Sequence, residues 1–124
     1  MAQQPHGASV VRRLEELQQH LRTVEHVKKL VAELESSRAA RPAIIDGICN
    51  NIARELSQLR QRALTSNIGT LADVAGGLAV VAARAGGGLN LKIRALAEGV
   101  NSMLMQLDQG LKTVRDQKSA EKPR

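Results

Sequence analysis

Three histidines and one cysteine are the side chains in this 124-residue sequence best suited to metal or covalent chemistry. No pair of them, alone or with a glutamate, stands at Cys-x-x-Cys, His-x-x-x-His or Glu-x-x-His spacing, so no two ligands share one side of a metal by sequence alone. Cys49 follows Ile48 and lies one turn from Ile45 and Ile52, the setting of a buried structural thiol rather than a nucleophile. His26 is different. It shares a helical face with Arg22, Lys29 and Glu33, so it should stand exposed, where an imidazole can accept a phosphoryl group. Gly86-Gly87-Gly88 follows a helical stretch and does not lead from a strand into a helix, which makes it a cap rather than a phosphate cradle. These residues therefore predict no enzyme, no resident metal and no cofactor.

The elements that must carry them are helical throughout, since no stretch alternates apolar and polar residues as a half-buried strand does. Val10, Leu14, Leu17, Leu21 and Val24 step by four and three, and Val27, Val31 and Leu34 continue the stripe after a slight slip. Ser9 is the expected cap of this first helix, and Arg12/Glu16, Glu25/Lys29 and Lys29/Glu33 are its expected surface ion pairs. Pro42 suits the first turn of a second helix with Ile45, Ile48, Ile52, Leu56 and Leu59 inward. Ser66 to Gly69 reads as a turn, and Thr70-x-x-Asp73 as a capping box opening the third helix. A fourth helix follows the glycines, capped by Asn90, with Ile93, Leu96, Val100, Met103, Leu107, Leu111 and Val114 along one face. Four helices with short loops predict an all-α, up-down-up-down four-helix bundle.

The third helix stands apart. Between Leu71 and Ala85 only Asp73 and Arg84 are charged. Leu71, Val74, Leu78 and Val81 form the expected inward stripe, yet the opposite side is Ala72, Gly76, Ala79, Val80 and Ala83. A helix apolar on every side is usually buried on every side, which one four-helix monomer does not achieve. Those five residues are accordingly the expected seam of a homodimer. Gly76 and Gly77 point the same way, because a mid-helix glycine costs up to about 1 kcal/mol against alanine and close packing offsets that. Met105, flanked by polar helical neighbours, marks a candidate second contact surface.

The charge is +6 and unevenly spread. Residues 9–37 are neutral, whereas 38–66 carry five basic and two acidic residues, and 118–124 three and one. Arg38, Arg41, Arg54, Arg60 and Arg62 are candidate phosphate contacts for non-specific binding to duplex DNA. On a helix, though, Arg60 and Arg62 point about 200° apart. Thr70-Leu71-Ala72-Asp73-Val74-Ala75 resembles the opening of the helix-turn-helix in lac-repressor-type regulators. That resemblance implies a recognition helix next, but the following residues, Leu78-Ala79-Val80-Val81, are apolar and offer base edges only Arg84. His26-x-x-Lys29 resembles the histidine phosphotransfer pattern, with Leu30 in place of its glycine.

No Phe, Tyr or Trp occurs, which excludes aromatic ligand cages, base-stacking platforms and aromatic membrane anchors. The longest apolar run, Val74 to Ala83, is far short of the ~18 apolar residues of a membrane span. One cysteine and no leader-like N-terminus make cytoplasmic the expected location. The expected organisation is a disordered segment 1–8, one helical domain 9–117 and a disordered basic tail 118–124. The expected function is non-catalytic assembly or adaptor work on an unidentified protein partner. The alternatives are a basic accessory protein on DNA and a phosphotransfer-type signalling bundle.

Overall fold

The computed structural model describes residues 6–84 and 87–121, and the side chains of 9–84 and 87–117. Four helices follow in order: α1 (His6–Ser36), α2 (Pro42–Ala63), α3 (Leu71–Ala83) and α4 (Leu89–Glu121). Each has two neighbours. α1 and α3 both pack on α2 and on α4, while the diagonal pairs do not meet. This is the expected up-down-up-down ring. No helix among the described residues is long and apolar enough to cross a membrane.

The stripe of α4 is the one expected: all seven of its residues from Ile93 to Val114 are buried. On α1 Val10 is buried as expected, Leu14 only half-buried, and from Leu17 onward the buried positions are Leu17, His20, Val24, Val27, Val31 and Leu34, an unbroken alternation of three and four. The slip expected after Val24 disappears, because His20 holds the core position and Leu21 only flanks it. On α2 the buried set is Ile48, Cys49, Ile52, Leu56, Leu59 and Ala63, with Ile45 at its edge.

α3 departs most from expectation. Leu71, Ala75, Leu78 and Ala82 are buried, while Val74 and Val81 lie half-buried on its flank. Position beat hydrophobicity here: where α3 closes the ring against two neighbours, the small methyl of alanine lets the backbone come in close. Leu78 illustrates this, since its methyls occupy the space that a β-carbon at Gly99 of α4 would need.

Several expected helix ends also move. α1 starts at His6, so Ser9 sits inside the helix, and Asn90 likewise follows the first residue of α4. α3 ends at Ala83, and Gly87 and Gly88 take left-handed φ values of 84° and 83° to turn the chain into α4. Gly86 of the expected cap lies outside the described residues, as do 1–5 of the N-terminal segment and 122–124 of the tail. The tail's first residues, 118–121, continue α4. The expected ion pairs on α1 are open. Among the described residues the ion pair formed is Arg38–Glu35 at 3.4 Å, as befits long exposed side chains that gain little from pairing.

At 1.5 Å per residue α1 and α4 are roughly 46 and 50 Å long, α2 roughly 33 Å and α3 roughly 20 Å. Arg13 of α1 and Gln106 of α4 both reach the α2–α3 turn. Beyond it, among the described residues, the two long helices pack on each other, with Val10, Leu111 and Val114 buried between them and Leu17 seated over Gly110.

Candidate functional site

The α2–α3 turn is the most densely hydrogen-bonded part of the molecule. Ser66 is 3% exposed, and its Oγ lies 3.0 Å from His20 Nε2 and 3.4 Å from Glu16 Oε2. The Ser66 hydroxyl has one proton and two acceptors, the Arg62 carbonyl at 3.3 Å and the Glu16 carboxylate. His20 Nε2–H therefore donates to it, leaving Nδ1 an acceptor that is buried and without a partner among the described residues. Arg13 donates to the carbonyls of Ser66 and Asn67. Asn67 itself has a left-handed φ of 51°.

A serine beside a histidine and a glutamate invites comparison with a nucleophile and its base. The geometry answers it. The carboxylate approaches the hydroxyl and not Nδ1, so nothing orients the imidazole as a base, and both residues are closed to substrate. The group pins α1 to the turn. Burial pushes the His20 pKa below its ordinary value of 6.5, with Arg62 and Arg13 adding to the shift and Glu16 opposing it. The neutral imidazole is the form that fits.

Across the turn, Gln106 of α4 caps α3. Its Nε2 donates to Thr70 Oγ1 and its Oε1 accepts from the Thr70 backbone N–H, each at 3.0 Å. The capping box expected from Thr70 and Asp73 is thus replaced by a side chain from another helix, and Thr70 makes no side-chain cap of its own. Gly69, with φ 49°, permits the approach, because a β-carbon there would stand 3.0 Å from Gln106 Oε1. Below this contact lies a cleft of about 500 Å³ beside Arg13, Met105 and Gln109. Met105, 73% exposed, sits on its rim.

The expected seam residues divide between two environments. Ala72 and Ala79 are half-buried, and Arg60 lies over Gly76, its Cδ within 2.8 Å of where a β-carbon would be. Val80, 59% exposed, and Ala83 remain open to solvent. Gly77, which was not in the expected set, is exposed with nothing within 4 Å of its missing β-carbon. α3 is therefore a low ridge between two grooves. One, of about 520 Å³, runs along α2 beside Ala53, Ser57 and Arg60. The other, of about 210 Å³, runs along α4 beside Leu91, Lys92 and Ala95. Leu91 is 67% exposed.

The remaining candidates do not gather. Arg60 lies over Gly76 of α3, while Arg62 is near enough to His20 of α1 to help lower its pKa, so the two serve different neighbours of α2. Arg38 pairs with Glu35, and Arg41 and Arg54 are exposed without an ion-pair partner among the described residues. His26 is exposed, as its helical neighbours required. Cys49 is buried, and desolvation pushes its thiol pKa up, with Lys92 opposing the shift and Asp46 adding to it. No group of three or more His, Cys, Asp or Glu side chains able to hold a metal occurs among the described residues. Comparisons with protein-family models, with curated proteins and with solved structures give no match to this chain.

Proposed function

We propose that the chain is a non-catalytic assembly protein that pairs with a second copy of itself over α3. The observation that carries this reading is the outer face of α3, where Val80 and the open Gly77 crest a ridge bordered by two grooves. An isolated helix of this composition is weak, because its two adjacent glycines cost up to about 1 kcal/mol each relative to alanine. A partner on the crest offsets that cost and removes Val80 from water, worth up to ~1.5–3 kcal/mol at full burial.

Val80→Glu tests the reading. It places a charge on the crest while leaving the bundle interior untouched, since Val80 points outward. Light scattering over a concentration series should show mass rising with concentration for the wild-type chain and constant mass for the variant. Equal behaviour of the two would remove α3 from any interface.

A further inference from the structure

Three exposed residues on the crest of α3, Asp73, Gly77 and Val80, stand in line with the exposed Arg84 at its C-cap. At 100° per residue they fall within about 60° of one another, so they form one strip along the helix. Their spacing of four, three and four reads the same in both directions. Reversing the strip sets Asp73 against Arg84 and Gly77 against Val80. Each position thus meets its chemical complement: an anion meets a cation, and a protruding side chain meets a missing one. Neither Asp73 nor Arg84 has an ion-pair partner among the described residues.

We infer that two copies of the chain pair with their α3 helices antiparallel about a two-fold axis, Val80 of each seated on Gly77 of the other, Asp73 of each facing Arg84 of the other. The inference rests on the self-association reading and adds its geometry. A parallel pair would set Asp73 on Asp73 and Arg84 on Arg84, which the charges oppose. Among the described residues nothing comes within 4 Å of where a β-carbon at Gly77 would stand, so the seat is open. The two-fold makes the contact closed, and it ends at a dimer. A ridge about 18 Å long gives a small interface, below roughly 1,200 Å², of the kind that forms and separates readily.

The test uses the full chain and sedimentation equilibrium at low salt, with circular dichroism to verify that each variant is folded. Asp73→Arg converts two attractions in the dimer into two repulsions and should weaken dimerisation roughly tenfold, and Arg84→Asp should do the same. The double variant Asp73→Arg/Arg84→Asp should recover wild-type affinity. Both reversals oppose the dipole of α3, so that recovery cannot come from a better helix. Gly77→Leu should abolish dimerisation while the monomer keeps its fold. Loss, loss and recovery support the antiparallel pair. Failure of the double variant to recover overturns it, and leaves self-association over α3 standing if Gly77→Leu still abolishes the dimer. A dimer that survives Gly77→Leu overturns both the seat and the use of this face, and a wild-type chain that stays monomeric overturns the self-association reading together with it.

Discussion

Leu78 of α3 lies against Gly99 of α4 so closely that a β-carbon at Gly99 would stand 2.8 Å from Leu78 Cγ. The contact fixes how near the short helix comes to the long one. Leu78 is buried and its branch point cannot swing aside as a side-chain tip does.

Two glycine-to-alanine changes should therefore act in opposite directions. Gly99→Ala should destabilise the fold by about 1–2 kcal/mol, the strain at Leu78 outweighing the gain in helix propensity. Gly77→Ala, in open space, should stabilise the monomer by up to about 1 kcal/mol. Urea denaturation of the two variants, at a concentration that keeps the chain monomeric, measures both signs.

These two glycines also mark the border between what the sequence discloses and what it does not. The stripe of α4 is readable because seven large apolar residues keep helical spacing, and size and hydrophobicity there agree. On α3 they disagree. Ala75 and Ala82 take the buried positions over Val74 and Val81, because the approach to α2 and α4 selects small side chains. Gly99 and Gly110 carry no local signal, since the side chains that fill them, Leu78 and Leu17, come from other helices. His20 keeps step with Leu17, Val24 and Val27, yet the expected stripe ran through the more apolar Leu21 and passed it over. Its partner Ser66 was not legible, being 46 residues away.

The buried histidine makes stability pH-dependent. With its folded pKa below the unfolded value of 6.5, the folded chain binds fewer protons than the unfolded chain between those two values. His20's contribution is complete above about pH 6.5 and is lost as the pH falls through the folded pKa. Thermal unfolding from about pH 7 down to 5, above the usual carboxylate range, should show the midpoint falling. His20→Leu should flatten that slope. A slope of the same size in the variant would assign the effect to other groups.

Arg13 should matter to the turn more than to the helix that bears it. Its guanidinium serves the carbonyls of both Ser66 and Asn67, and hydrogen bonds from a charged donor contribute about 1.5–3 kcal/mol each before solvent exposure reduces them. Arg13→Ala is expected to cost about 1–2 kcal/mol overall. Amide hydrogen exchange should locate the loss in residues 64–70, with α4 protection beyond the turn little changed.

Gln106 gives a second handle on the same turn. Gln106→Ala removes both hydrogen bonds to Thr70 and uncaps α3, at about 1 kcal/mol, typical for loss of an N-cap. Faster exchange at the first turn of α3 is the expected readout. Unchanged protection there would mean that the helix start is held by Leu71 alone.

Association over α3 stands or falls with the mass of the unmodified chain in sedimentation equilibrium. Across a series reaching high micromolar concentration, the weight-average mass should climb from 13.4 kDa toward twice that value. A mass that stays at 13.4 kDa throughout would contradict the account.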